Sequence, residues 1–498
     1  MLFNSINYLI FFPIVVFIYY LIPKRIKHLW LLCASYFFYM CWNAKYALLM
    51  LFSTLVTYGC GYLLDIIKSK SLNEKKELLL KRFTIIVSLL LNLGILFYFK
   101  YINFALQTII KLFQLVNIEI SIPSFDIILP VGISFFTFQA IGYTIDVYRG
   151  EIKAERNLFR YALFVSFFPQ LVAGPIERSK NLLTQLHTAH KFDVSQAESG
   201  LLTMVYGLFL KVVIADNISN VIDPVFSSPE QYMGMELLLA VILFAFQIYC
   251  DFEGYSKLAI GSARVLGIHL NQNFNSPYLA SSVKDFWRRW HISLTSWFRD
   301  YLYISLGGNR KGVLRKHFNM MIIFLCSGLW HGAGWKFIVW GGLNGLFCIT
   351  EDLFKPINEK WFYKLKINKC TFSYKLFQRI AAFLLIDFTW IFFRAETLRS
   401  AIYILCKIVE EFKFEWILVA EYLNTFISPQ QFIVITLSLL VLFVIDYLRY
   451  KKINLQELFF SQQFLFRWIV YFFLFLLIIY WGAYGTDYEQ TQFIYFQF

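Results

Sequence analysis

Long apolar runs separated by short basic segments recur along this chain from residue 7 to residue 482. A spanning helix takes about 20 apolar residues, with about 17 as a lower limit. Twelve stretches are candidates on that measure: 6–22, 28–43, 46–67, 83–101, 127–148, 199–217, 233–250, 318–330, 335–352, 376–393, 430–448 and 467–483. The apolar segments 102–118, 158–174 and 255–268 are too short or too interrupted to count. They are expected to be re-entrant or interfacial, which lipid permits only where the backbone is packed in protein. The expected fold class is all-α integral membrane: one polytopic domain over 1–498, with 484–498 as a tail beyond the last span.

The basic loops then set an orientation. Lys and Arg gather at 23–28 (PKRIKH), 68–82, 149–160, 307–317 (GGNRKGVLRKH), 355–375 and 449–452 (RYKK). Placing all six in the cytoplasm lets the intervening spans alternate without conflict. Both termini are then extracytoplasmic in a multi-pass protein of the cell (inner, cytoplasmic) membrane. Segment 394–429 falls outside. Its amphipathic stretch, Ala401 to Phe414, is expected to lie on the membrane surface.

Composition narrows the class further. Of 498 residues, 58% are hydrophobic and 16% charged, against about 45–50% and 25% in soluble domains. The net charge of +14 would suggest nucleic acid if it formed a stripe, but it sits in short loops between apolar runs, so membrane lipid is the expected partner and nucleic acid is not. The eight Cys are scattered with no CxxC, so neither a disulfide framework nor a zinc site is indicated. The first apolar stretch lacks a basic leader and a small-residue cleavage site, and reads as a retained span. No GxxxxGK[ST] run and no paired broken helices in matching halves occur, which disfavours a nucleotide-driven pump and an inverted-repeat transporter. No HExxH is present, and no metal is expected.

Candidate chemistry centres on two of the seven His. His28 and His317 sit in basic loops, and His187 and His190 in a polar stretch; all four read as solvated or interfacial. His269 is ambiguous. His331 stands between two apolar helices in Leu329-Trp330-His331-Gly332-Ala333-Gly334-Trp335. A helix from Asn319 to Trp330 rises only about 18 Å against a hydrocarbon core of about 30 Å, which puts His331 within the membrane. Gly332 and Gly334 would let the chain turn tightly there. An ionisable group at that depth is a functional-site hypothesis by default.

His291 lies in Trp287-Arg288-Arg289-Trp290-His291. The spacing of Trp287, Trp290, Leu294, Trp297 and Tyr301 predicts one amphipathic helix from about Val283 to Ser305 with an aromatic face. A cytoplasmic interfacial helix with Trp anchors and snorkelling Arg competes with a functional reading. In the latter, His291 approaches from the cytoplasmic side, His331 sits deeper, and the two line one passage. Asp251 and Glu253 end a span, Asp146 sits near the end of another, and Asp387 and Arg394 are placed to pair, since buried charge must be compensated.

These segments make the chain similar to the membrane-bound O-acyltransferase (MBOAT) family, in its bacterial alginate O-acetyltransferase-like branch. The resemblance is carried by Pro130-Val-Gly-Ile-Ser-Phe-Phe-Thr-Phe-Gln, Phe168-Pro-Gln with Ala173-Gly-Pro-Ile-Glu-Arg, and Asp251-Phe-Glu-Gly-Tyr-Ser. It continues through Phe286-Trp-Arg-Arg-Trp-His-Ile-Ser-Leu, Trp297-Phe-Arg-Asp-Tyr-Leu-Tyr, Leu306-Gly-Gly-Asn-Arg and Leu329-Trp-His-Gly-Ala-Gly-Trp. It implies a ring of about twelve tilted helices around a central passage. It also implies His331 as the essential histidine and His291 as the second polar position. Trp287, Arg289, Trp290, Trp330, Trp335 and Asp251 are candidates to line the passage or bind the donor. No bound cofactor or metal is implied. The co-substrate would be an acyl thioester, acetyl-CoA or an acyl carrier, on the cytoplasmic side. An imidazole suits this chemistry, because a base with pKa near 6.5 can take the proton of a hydroxyl as it attacks a thioester carbonyl.

The expected function is membrane O-acylation of a cell-surface or secreted polysaccharide with an acetyl or other short acyl group. An extracytoplasmic acyltransferase or esterase-like partner would complete it. The alternatives are acylation of a lipid or protein acceptor, and a small-molecule transporter using the same passage. The chain ends Gln492-Phe-Ile-Tyr-Phe-Gln-Phe498, too apolar for a free tail. Docked in the outer mouth, Tyr495 would serve as an acyl relay; its rival role is an interfacial aromatic anchor. The ending also resembles the aromatic tail with a central tyrosine of related acyl-export systems.

Overall fold

The computed structural model describes every residue except 71, 121–122, 124, 414–425, 485–493 and 495–498. Among the described residues all regular structure is helical. Eight helices are long and apolar enough to cross a membrane: Ala44–Ser69, Glu74–Leu115, Val194–Ser227, Gly234–Val265, Trp335–Lys364, Phe372–Arg394, Pro429–Tyr450 and Phe464–Trp481. The other four apolar stretches form shorter or more polar helices. Ile6–Leu21, Lys27–Met40 and Ile133–Arg149 have 16, 14 and 17 residues. The 19-residue Val313–His331 opens on Arg315, Lys316 and His317.

Two segments expected to be re-entrant or interfacial instead continue long helices. Residues 102–115 extend the helix from Glu74 through a π-helical turn at Phe97–Tyr101. Residues 255–265 complete the 32-residue helix Gly234–Val265. The charges at 251 and 253 look like the end of a span because an unpaired carboxylate stops one. Here each has a cation: Lys211 Nζ lies 2.7 Å from Asp251, and Lys257 Nζ lies 3.1 Å from Glu253. The third segment, 158–174, folds as the short helices Leu158–Ser166 and Phe168–Leu171, almost wholly buried.

The chain forms two compact units, Met1–Met204 with Leu258–Asn271, and Val205–Lys257 with Gln272–Phe498. In the first, Ala44–Ser69 buries a face of small and hydroxyl residues, Ser53, Thr54, Thr57, Cys60 and Gly61. That face admits Ile133–Arg149 so closely that a Cβ on Gly61 would fall 2.7 Å from the Tyr143 ring. The Thr57 hydroxyl accepts a hydrogen bond from Tyr161 at 2.7 Å. Glu177, in the Ala173–Arg178 motif, braces the unit by accepting from the Asn271 backbone at 2.6 Å and from the Asn181 and Asn271 amides. Burial pushes its carboxyl up to about 7 even against these donors.

The second unit is organised by the antiparallel pair Val313–His331 and Trp335–Lys364. Glycines set their spacing: a Cβ on Gly328 would fall 2.2 Å from the Phe337 carbonyl oxygen, and one on Gly341 2.3 Å from that of Phe324. Such small-residue contacts are the usual means of close helix approach in lipid, where apolar burial gives no drive. Phe464–Trp481 has no buried residue. Its Phe472, Phe475 and Tyr480 are 64%, 60% and 85% exposed, a surface suited to lipid and not to water. The amphipathic helix expected over 401–414 is present as Leu398–Glu410, burying Ala401 and Ile404 one turn apart. Residue 414 lies outside the described residues.

The expected Asp387–Arg394 pair does not form. Both lie in the buried C-terminal half of Phe372–Arg394, but Arg394 reaches Asp223 at 2.6 Å, while Asp387 Oδ1 is buried with no hydrogen-bond partner. Asp146 instead accepts a hydrogen bond from the Ser179 hydroxyl.

Candidate active site

His331 is the last residue of Val313–His331, and its side chain is buried at 3% exposure. The helix starts at Val313, not near Asn319, and 19 residues rise about 28 Å. The short-helix argument for its depth therefore fails; the structure shows instead that the imidazole is buried within the protein. Trp330, Trp340 and Phe393 pack their rings edge-on around the imidazole, with centroids at 4.9, 5.0 and 5.4 Å.

The glycines after it act by room rather than by backbone freedom. Gly332 and Gly334 have φ of −163° and −169°, extended backbone open to any residue. A Cβ on Gly332 would fall 2.0 Å from the Phe337 ring, whereas one on Gly334 would meet nothing closer than 3.7 Å. Phe337 cannot yield freely, because its ring packs against Phe393 at 5.3 Å and Phe393 packs against His331. We expect Gly332→Ala to cost about 1–3 kcal/mol of packing and most of the transfer activity, and Gly334→Ala to be nearly silent. Acyl transfer by membranes containing equal amounts of each variant checks this; equal loss in both would reject the packing argument.

His291 does not lie within a continuous helix. Residues 283–303 break into Val283–Arg289, Ile292–Trp297 and a π turn, Phe298–Tyr303. The break is at His291, held in the left-handed region with φ 43° and ψ 53°. Non-glycine residues there are uncommon, and Asn, Asp and His are the favoured ones. The bend is fixed from outside: the Ile292 N–H donates to the Asn273 carbonyl at 2.8 Å. The buried Asn273 side chain donates to Ser256 and accepts from Ser293. His291 is 1% exposed, with its ring 4.7 Å from Phe252 and 5.8 Å from Trp330. Trp287, Trp290, Trp297 and Tyr301 are likewise buried, so this segment is not an interfacial anchor.

The break brings the two histidines side by side. Their ring centroids are 6.5 Å apart, close enough to act on one bound group. His291→Asn should keep clearly more activity than His291→Ala. The amide retains hydrogen bonding and tolerates the left-handed backbone, where alanine is strained by about 1–2 kcal/mol. Full activity of both variants in a membrane transfer assay would reduce His291 to packing.

Of the other candidates, Trp287, Trp290 and Trp330 join the cluster. Trp287 donates its indole N–H to Asn344 at 3.1 Å and packs edge-on against Trp340 at 5.5 Å. Trp290 packs against Trp390 at 5.2 Å, and Trp390 stacks on Trp340. Two candidates lie outside it. Trp335 is 49% exposed. Arg289 is bound to Asp285, the Asn275 carbonyl and the Tyr450 ring.

Asp251 has a different surrounding from a donor pocket. Lys211 bridges it to Asp216, 2.7 Å from each, all three nearly inaccessible. Its other oxygen accepts the backbone N–H of Ile494 at 2.8 Å. Ile494 is 4% exposed. Phe252, next along the helix, is the ring that packs on His291. Tyr495 itself lies outside the described residues.

Trp340, Trp390, Phe393, Lys211 and Asn344 were not foreseen. Counted from Trp335, the inward residues of its helix are Phe337, Trp340, Gly341, Asn344, Gly345 and Cys348, a 3–4 spacing readable in the sequence. Trp340 Nε1 and Trp390 Nε1 are buried with no hydrogen-bond partner. An indole N–H in that state costs about 1–3 kcal/mol and is free to donate to a bound oxygen. No group of three metal-ligating side chains occurs among the described residues.

A helical membrane-embedded fold with two buried imidazoles at its core defines a class that comparison with known proteins identifies. Residues 151–393 match the family model of MBOAT, the membrane-bound O-acyltransferase family. A probable alginate O-acetylase of Azotobacter vinelandii is 37% identical over 80% of this chain and 76% of its own length. The peptidoglycan O-acetyltransferase of Helicobacter pylori is 34% identical over 77% and 73%. The teichoic acid D-alanyltransferase of Bacillus subtilis is 27% identical over 48% and 63%. The chain belongs to the membrane-bound O-acyltransferase family, as a multi-pass membrane enzyme of the O-acetyltransferase kind.

Proposed function

We propose that this enzyme takes an acetyl or other short acyl group from a cytoplasmic thioester, acetyl-CoA or an acyl carrier, and passes it across the membrane. The group ends as an O-ester on a cell-surface or secreted polysaccharide. The observation that carries the reading is the pair of buried imidazoles 6.5 Å apart in a cage of aromatic rings. The glycans in the names of the relatives, alginate, peptidoglycan and teichoic acid, support the acceptor class.

In this reading His331 is the general base. It takes the proton of an incoming hydroxyl as the oxygen attacks the thioester carbonyl. The C–S bond breaks, the C–O ester bond forms, and the thiol leaves with the proton returned by the imidazolium. The Trp340 N–H, on a ring packed against His331, would stabilise the carbonyl oxygen as it gains charge. His291 would orient the donor. The Tyr495 hydroxyl is the proposed first acceptor, handing the acyl group to an extracytoplasmic acyltransferase or esterase-like partner. Docking of the adjacent Ile494 on Asp251 supports a tail held close to the site. The six basic loops support cytoplasmic placement of those loops and extracytoplasmic termini, which cysteine labelling at Asn4 and after Thr486 tests.

The decisive experiment supplies acetyl-labelled thioester to inside-out membrane vesicles and measures label in the enclosed glycan. Label should appear in glycan and require this chain. Label confined to lipid or protein, or transfer only from donor on the enclosed side, would overturn the proposal.

A further inference from the structure

The first unit contains a cavity of about 380 Å³ that the catalytic reading does not use. Lys24, Arg25, Lys27 and Arg160 bring four permanent cations to its wall, with His28, His187 and His190 beside them. Against these stands one carboxylate, Glu155, which holds Arg160 at 3.2 Å and His187 at 2.6 Å. Lys24, Arg25, Lys27 and His28 have no ion pair among the described residues. Four cations against Glu155 leave a surplus of positive charge along the cavity wall.

Lys24 and Arg25 are exposed at the rim of the cavity, whereas Lys27 is not a snorkelling surface side chain. Lys27 is 8% exposed. It is fixed by donating to the His190 carbonyl at 3.0 Å and lies over the Tyr19 and Tyr20 rings at 4.5 and 5.0 Å. Arg160 Nε is buried with no hydrogen-bond partner. The Arg160 side chain is 21% exposed, and a guanidinium fork suits a phosphate oxygen. Part of the wall is apolar, with Leu31, Leu163, Leu186 and Ile268, so the cavity accommodates a phosphate group joined to an apolar arm.

We propose that this cavity binds a phosphate ester carrying an acyl chain, either an anionic phospholipid of the surrounding bilayer or a coenzyme A thioester. No residue lining this cavity belongs to the histidine cluster, and the proposal stands whether or not the proposed glycan transfer is correct.

The test uses the full chain in nanodiscs with two probes. Phosphatidylglycerol retention against phosphatidylcholine is read by native mass spectrometry, and labelled coenzyme A binding is read in purely phosphatidylcholine discs. For at least one probe, Arg25→Gln with Arg160→Gln should weaken binding tenfold or more, while Lys451→Gln with Lys452→Gln changes it less than twofold. Loss of phosphatidylglycerol alone identifies a lipid site, and loss of coenzyme A alone a coenzyme A site. In the unaltered protein, millimolar pyrophosphate should displace the bound probe, which requires no variant to fold. The proposal is overturned if neither probe binds, if pyrophosphate displaces nothing, or if both pairs of substitutions weaken binding equally, which marks diffuse loop charge.

Discussion

Replacing His331 should reduce acyl transfer by about 10²- to 10⁴-fold, the span general base catalysis supplies. Two substitutions separate chemistry from packing. His331→Ala removes the base and also empties the space between Trp330, Trp340 and Phe393, whose rings lie 4.9–5.4 Å from the imidazole. His331→Phe removes the base but keeps an aromatic ring against the same three partners. If His331 moves a proton, both variants lose activity alike, and the Phe variant reaches the membrane in normal amount. The measurement is glycan-bound acyl content per amount of membrane protein. An active His331→Phe enzyme would make the residue a packing element and send the search for a base to His291.

The sequence reveals the identity of this site more readily than its geometry. His331 stands out because a Trp-His-Gly segment interrupts two apolar runs, and the chain does bury it. The reason given by helix length fails. Residues 313–318 (VLRKHF) look like loop but are helical, so charge marks where lipid ends and not where the helix does. At His291 the error has the opposite sense. The aromatic spacing from Trp287 to Tyr301 fits one helix, and periodicity carries no sign of a left-handed residue inside it. The break is imposed by a tertiary contact, the Ile292 N–H on the Asn273 carbonyl, which local pattern cannot reveal. The same holds for Asp251. Its place on the chain suggests the end of a span. Its cation, Lys211, is 40 residues earlier, and its backbone donor, Ile494, is 243 residues later.

These long-range partners show how Ile494 is held. Asp251, Lys211 and Asp216 form a buried triad, and such groups are costly to desolvate unless each lone pair is used. Asp251 uses its second oxygen on the tail. Removing Lys211 would leave two carboxylates uncompensated, an effect on the order of 3–5 kcal/mol, felt as instability of the whole second unit. Asp251 thus serves both folding and the hold on Ile494, and a role in binding the donor is not needed to explain it.

Tyr495→Phe should abolish glycan acylation while leaving the protein at its normal level. Adjacent Cα atoms are about 3.8 Å apart, so the Asp251 hydrogen bond to Ile494 fixes the chain immediately before this residue. An anchor works through its ring, which phenylalanine keeps; a relay needs the oxygen, which phenylalanine lacks. As a relay, the phenolic oxygen attacks the thioester, the thiol departs, and an aryl ester remains. That ester is a better acyl donor than an alkyl ester, because a phenol of pKa near 10 leaves more easily than a sugar hydroxyl. The ester should therefore accumulate when the extracytoplasmic partner is deleted, and mass spectrometry of the C-terminal peptide should show the acyl mass on Tyr495. Normal acylation by Tyr495→Phe, with no adduct in the partner deletion, would remove the relay and leave direct transfer from the thioester to the glycan at His331.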